Sequence, residues 1–267
     1  MLSPETITSL QNPKVKDLVV LEEKSRERKE RGLFVVEGER EFTRALKGGF
    51  VPESIFFCDK YISVESLRSL VGDFEVKLYS VSAQVYEKLA WRGGTEGVVA
   101  TLKIPDRKLE EFVPCGRPLV LVLESVEKPG NIGAVLRTAD AAGVDAVIVC
   151  DPLTDLYNPN VVRASLGAIF SVPAFACTSE EALEWIRRNG LQVLTAQLQD
   201  SNLYYDTDMT GPIAIVFGTE DKGLTDFWRK ESDARIRIPM AGMMDSLNVS
   251  VSAAILCFEA VRQRGRA

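Results

Sequence analysis

The sequence predicts an α/β protein of two domains, a small α/β unit followed by a larger unit with a mainly parallel sheet. Three observations predict it. Short apolar runs alternate with helical periodicities along the chain. In the second half those runs are nearly continuous, as in parallel strands covered on both faces. Residues 104–117, IPDRKLEEFVPCGR, separate the halves with two prolines, a charged run and a glycine. The expected division is 1–104, a linker at 105–117, and 118–267. A chain of 267 residues accommodates two domains of ordinary size.

In the first domain Asn12-Pro13 reads as the N-cap and first residue of a helix, with Val15, Leu18 and Val19 on its buried side. Residues 24–31, KSRERKER, carry five basic and two acidic side chains. If the helix continues, Lys24, Arg28 and Arg31 fall at i, i+4 and i+7 on one face. That face reads either as a solvated, salt-bridge-laced surface or as a stripe of phosphate contacts. Strands are expected at 33–36, 54–58, 75–78 and 97–102. The turn WRGGTEG at 91–97 either presents Trp91 and Arg92 for stacking on a base or uses Trp91 to cap a core.

In the second domain strands are expected at 118–123, 146–150, 192–196, 213–217 and 235–238. Gly190 reads as the stop of the helix EEALEWIRRNG. Ligands of such sheets sit beyond the carboxyl ends of the strands, and three loops there are unusual in composition. In the first, Asn131 stands where an N-cap belongs, and Ile132, Val135, Leu136 and Ala139 form an apolar stripe. Arg137 lies about 140° from Ile132 around that helix; a solvated surface arginine is the reading helix geometry alone favours. The second, IAIVFGTEDKGL, runs a buried strand into a turn with Gly218, Glu220 and Gly223, an ordinary strand–turn–helix link unless a ligand approaches the glycine closely. The third carries Pro239, Met240 and Gly242, then Ser246 as the expected N-cap and Asn248 in the first turn. Its amides would favour an anionic group. Asn248, Ser250 and Ser252 in an otherwise apolar helix point to a buried polar function or a subunit interface.

Composition removes several chemistries. The chain has no histidine, which excludes a Ser-His-Asp triad, a Cys-His pair, a histidine-ligated metal and a histidine general base. The five cysteines are odd in number, scattered and without a C-x-x-C pair. They read as reduced thiols of a cytoplasmic protein, and no metal is expected. No apolar run approaches the roughly 20 residues of a membrane span, and no secretory signal opens the chain. The net charge of −6 argues mildly against nucleic acid. Neither G-x-G-x-x-G nor a P-loop occurs.

The segments GNIGAVLRTADAAG, IAIVFGTEDKGL and IPMAGMMDSLNVSVSAA resemble the three ordered motifs of the SpoU/TrmH RNA 2′-O-ribose methyltransferases. NPKVKDL followed by GLFVVEGEREFTRAL is similar to the substrate-binding domain that many rRNA-modifying members carry. The resemblance implies a C-terminal trefoil knot, S-adenosylmethionine held by the knot loops, and a homodimer whose active site draws on both subunits. Carried onto this chain, it makes Asn131 and Arg137 catalytic candidates. Ala196, Gly218, Glu220, Ile238, Met240, Ser246, Leu247 and Asn248 become cofactor neighbours. Lys24, Arg28, Arg31 and Arg92 are the expected RNA contacts. The implied activity is methylation of a ribose 2′-hydroxyl in 23S rRNA. The alternatives are a tRNA-directed relative, whose kind often lacks the N-terminal domain, and a non-catalytic ribosome-assembly factor of the same fold. The presence of Asn131, Arg137, Glu220, Ser246 and Asn248 at motif positions disfavours the last.

Overall fold

A computed structural model describes residues 4–90 and 96–265. The chain forms two compact units, 1–106 with 157–171, and 107–156 with 172–267.

The first unit contains strands β1 (Glu5–Ile7), β2 (Leu33–Glu37), β3 (Pro52–Phe57), β4 (Lys77–Val81) and β5 (Val98–Lys103). They form one sheet in the order β1-β4-β3-β5-β2. β1, β4 and β3 run parallel, whereas β5 is antiparallel to both β3 and β2. Strands that bury Phe34, Val36, Ile55, Phe57, Val98 and Ala100 make the core, and the helices α1 (Pro13–Glu23), α2 (Ser25–Arg31), α3 (Glu39–Lys47), α4 (Val64–Val71) and α5 (Ala83–Leu89) complete it. Asn12 caps α1 as expected, its side chain accepting from the Lys14 amide.

The basic stripe does not form. Lys24 is extended, with φ −111° and ψ 109°, and separates α1 from α2. The cause is Arg28, which is 1% exposed. Its Nη1 donates to the Leu21 and Glu22 carbonyls at 2.6 and 3.0 Å, satisfying the last turn of α1. Arg28 is thus a cap and not a phosphate contact. Arg31 forks onto Asp17 at 2.9 and 2.7 Å; Lys24 alone of the three is exposed without a partner among the described residues. Trp91 and Arg92 lie outside the described residues.

Residues 157–171, expected in the second domain, pack in the first unit. Tyr157 and Phe170 join Phe34 and Phe50 in one aromatic cluster, with ring centroids 4.6 Å apart for Phe34–Tyr157 and 5.1 Å for Phe50–Phe170. Gly48 allows the approach, since a Cβ there would stand 2.2 Å from the Phe170 carbonyl oxygen. The segment carries helix α6 (Pro159–Ser165).

The second unit is a seven-stranded sheet whose neighbours all run parallel. Its strands are β6 (Leu119–Glu124), β7 (Ala146–Cys150), β8 (Ala174–Cys177), β9 (Gln192–Ala196), β10 (Asn202–Leu203), β11 (Ile213–Phe217) and β12 (Ala234–Arg237), in the order β10-β12-β9-β11-β6-β7-β8. β6, β7 and β11 are buried along their whole length, which is why they read as unbroken apolar runs. The connecting helices are α7 (Pro129–Ala142), α8 (Ser179–Arg188) and α9 (Asp226–Lys230); α10 (Val249–Gln263) closes the unit and packs on α7.

Two helix starts differ from expectation. α7 begins at Pro129 with Lys128 as N-cap, so Asn131 is its third residue. Proline at the first position is pre-organised for the helix, and the asparagine amide is free for other partners. α10 is capped by Asn248, whose side chain accepts from the Ser250 amide, and Ser246 lies two residues before the cap. β1, β8 and β10 were not expected. Among the described residues no helix is long and apolar enough to cross a membrane.

Candidate active site

The carboxyl end of β11 sets the site's geometry. Past Phe217 the chain turns so tightly that a Cβ on Gly218 would lie 2.2 Å from the Gly223 carbonyl carbon. Thr219 and Gly223 exchange backbone hydrogen bonds of 3.1 and 3.0 Å, and Gly223 takes a positive φ of 67°. Only glycine supplies both features without strain. The exit of this loop is tied to β6, because the buried Glu124 accepts from the Thr225 amide at 2.9 Å and its hydroxyl at 2.5 Å.

Glu220, at the loop tip, gathers side chains from two helix starts. Its Oε1 accepts from Nδ2 of Asn131 at 2.8 Å and of Asn248 at 2.6 Å. Its Oε2 accepts from Lys128 Nζ at 2.6 Å. The Lys128 hydrogen bond holds the Glu220 carboxyl below the ordinary carboxylate value. Partial burial opposes that shift, and Asn131 and Asn248 add to it. The same contact raises the Lys128 ammonium above its usual value. Glu220 is therefore ionised at neutral pH, as an acceptor of three donors should be.

A cavity of about 500 Å³ opens between the ends of β9, β11 and β12. Ala196, Gly218 and Glu220 line it from the first two strands. Ile238, Met240, Ser246 and Leu247 line it from the segment after β12. Asn248 does not line the cavity and reaches it through Glu220. Two further lining residues carry no signal in sequence periodicity. Gln197 Oε1 and Arg229 Nε are buried, and neither has a hydrogen-bond partner among the described residues. A buried polar atom left unpaired costs about 1–3 kcal/mol, so one acceptor and one donor at this cavity await a ligand's complementary groups. Gln197 follows Ala196 directly, and the end of a buried strand was the one clue to it.

The structure leaves Arg137 apart from this cluster. Its side chain is exposed on α7, makes no hydrogen bond or ion pair among the described residues, and stands outside the lining of the cavity. Among the described residues no group of three or more acidic, cysteine or histidine side chains is placed to hold a metal.

Known proteins resemble this chain in sequence and fold. Residues 118–258 match the model of the SpoU rRNA Methylase family, and residues 12–100 match that of the MRM3-like substrate binding domain. The chain is 37% identical to the 23S rRNA (guanosine-2′-O-)-methyltransferase RlmB of Pseudomonas putida, over 75% of this chain and 84% of that one. It is 30% identical to the 23S rRNA guanosine 2′-O-methyltransferase RlmP of Bacillus subtilis, over 94% and 97%. The crystal structure of an AdoMet-bound rRNA methyltransferase from Sinorhizobium meliloti superposes with a TM-score of 0.89 at 30% identity, covering 97% of each chain. The chain belongs to the SpoU rRNA methylase family.

Proposed function

We propose that this protein transfers a methyl group from S-adenosylmethionine to a ribose 2′-hydroxyl of 23S rRNA. The observation that carries the reading is the 500 Å³ cavity at the strand ends, with its orphaned acceptor and donor, joined through Glu220 to both asparagines. A relative named for 2′-O-methylation of 23S rRNA matches 94% of the chain, and an AdoMet-bound rRNA methyltransferase 97%.

The residues present fit the cofactor. Gln197 Oε1 is an acceptor for an amino group and Arg229 Nε a donor for a carboxylate or hydroxyl, both of which S-adenosylmethionine carries. Met240 and Leu247 offer apolar walls, and Gly218 lets the loop close tightly on Gly223 at the cavity's edge. When bound, the cofactor supplies a methyl group on a sulfonium, an electrophile that needs no metal.

The protein's own residues then position the nucleophile. Asn131 is fixed by Glu220, so its carboxamide has one orientation at the start of α7. Glu220, ionised and triply hydrogen-bonded, holds the starts of α7 and α10 together. Arg137 is exposed on α7 and presents a planar guanidinium whose donors form a fixed fork. We assign it the role of a planar fork that clamps an RNA phosphate and orients the 2′-hydroxyl, whose proton passes to phosphate or water.

Arg137 lies outside the lining of the cavity that Glu220 borders, and a homodimer in which it serves the partner's site would give it a role. α10 supplies a surface for such a dimer. Val251, Ala254, Ile255 and Phe258 fall at i, i+3, i+4 and i+7, with Val251 and Phe258 exposed, while Val249, Ala253, Leu256, Cys257 and Ala260 face the core. In this reading the segment from β12 to α10 is threaded as a trefoil knot. Its support is the entry of β12 between β9 and β10, with α10 turning back onto α7. The N-terminal unit selects rRNA, and the reaction belongs to the cytoplasm.

Incubation of purified protein with methyl-labelled S-adenosylmethionine and unmodified 23S rRNA tests the reading. Label should appear in alkali-resistant dinucleotides, the mark of a 2′-O-methyl group. Binding of S-adenosylmethionine without any transfer would replace the enzyme with a non-catalytic relative.

A further inference from the structure

A second cavity, of about 560 Å³, lies across the Thr219–Gly223 loop from the first. It opens beyond the carboxyl ends of β6 and β11, which pair in register. The connections leaving these neighbours diverge. α7 carries the chain from β6 to β7 on one side, and α9 carries it from β11 to β12, beyond β9 on the other. Adjacent strands whose connections part in this way make the crevice where open parallel sheets bind ligands. The cofactor reading fills the cavity at β9, β11 and β12 and assigns nothing to this switch point.

We propose that the second cavity receives the target nucleotide of the RNA, with Leu153 under its base and Lys128 at its phosphate. The proposal rests on the methyltransferase reading and says where that reaction's acceptor sits. Glu124, Glu127, Glu220 and Asp221 are among its lining residues, and three hydrophobic side chains supply the surface a base would meet. Val126 and Val249 are buried in its wall, and Leu153 stands 64% exposed at its edge. An unstacked base needs such a surface in place of its former neighbours. Lys128 lines the rim with a side chain 70% exposed. Its ammonium has three donors, so it can keep Glu220 Oε2 and still meet a phosphate oxygen. Glu220 lines both cavities, and Asn131, its hydrogen-bond partner, lines the second. A nucleotide seated there would bring its ribose to the wall shared with the cofactor cavity. A transferable methyl group and a 2′-hydroxyl must meet within about 3–3.5 Å, and the shared wall is where the two cavities adjoin.

The test places p-benzoylphenylalanine at position 153 of the full-length protein and irradiates it with unmethylated 23S rRNA and S-adenosylhomocysteine. The crosslink should map to the nucleotide that the wild-type protein methylates or to its immediate neighbour. A crosslink remote from that nucleotide, or one to a second copy of the chain, would overturn the proposal. In parallel, Leu153→Asp should raise KM for rRNA about tenfold with S-adenosylhomocysteine affinity unchanged, and Leu153→Phe should keep KM near the wild-type value. A normal KM in Leu153→Asp would remove the cavity from the reaction while leaving the enzyme reading intact. Absence of transfer by the wild-type protein would remove both.

Discussion

Asn248 and Asn131 meet although 117 residues separate them, Nδ2 of Asn248 donating to Oδ1 of Asn131 over 3.2 Å. Asn248 Oδ1 accepts from both the amide and the hydroxyl of Ser250, which fixes the amide the other way round and points its nitrogen at Asn131 and Glu220. One side chain therefore starts α10 and closes the Glu220 network. Asn248→Ala should lower stability by about 1 kcal/mol through the lost cap, read by denaturant unfolding, and reduce turnover as well. Asn248→Asp keeps the cap acceptor but faces Glu220 with a like charge, so stability should recover more than turnover. Full turnover in Asn248→Asp would mean that the amide's donors are dispensable.

The first unit should carry its own pH dependence. Burial pushes the Glu22 carboxyl up to about 7; Arg163 opposes the shift and the Glu37 charge adds to it. Glu22 Oε1 has no hydrogen-bond partner among the described residues and lies 3.7 Å from Arg163 Nη2. A raised folded-state value means that the fold binds this proton more tightly than the unfolded chain does. Its contribution is complete below the ordinary glutamate value and is lost as pH rises toward 7, on the order of 3 kcal/mol. Glu22→Gln should melt a few degrees higher than wild type at pH 8 and flatten the pH dependence between 5 and 8. An identical slope in the variant would contradict this account.

Arg137→Ala should abolish turnover and leave the fold and S-adenosylmethionine affinity within error of wild type. An exposed side chain without partners contributes little stability. Arg137→Lys keeps the charge but not the planar pair of donors, so it should restore little activity. Mixed dimers of Arg137→Ala with a variant lacking the cofactor site should regain a share of activity, because one complete composite site re-forms. Without such complementation, the shared-site arrangement fails.

The strands of the second unit were legible because burial on both faces leaves an unbroken apolar signature. β7, β9 and β11 have the limits the sequence suggests, at 146–150, 192–196 and 213–217. β8, with the sequence AFAC, and the two-residue β10 carry too little β-branched or alternating content to stand out. Ala196, Gly218, Glu220, Ile238, Met240, Ser246 and Leu247 were reached through motif resemblance and not through periodicity, whereas Gln197 and Arg229 were not reached. Contacts between distant segments were not legible at all. Nothing local marks Tyr157 and Phe170 as partners of Phe34 and Phe50. Lys128 and Glu220 lie 92 residues apart, and Arg28, which looks like a surface cation, is the cap of the preceding helix.

The most direct measurement of the central claim is the map of 2′-O-methylated positions in 23S rRNA from cells that have this protein, lack it, or carry Arg137→Ala. One position should be methylated in the first, and unmethylated in the other two. The purified protein with S-adenosylmethionine should restore it on rRNA from the cells that lack it. Identical maps in all three, from a protein that binds S-adenosylmethionine, would contradict the assignment of rRNA as the methyl acceptor.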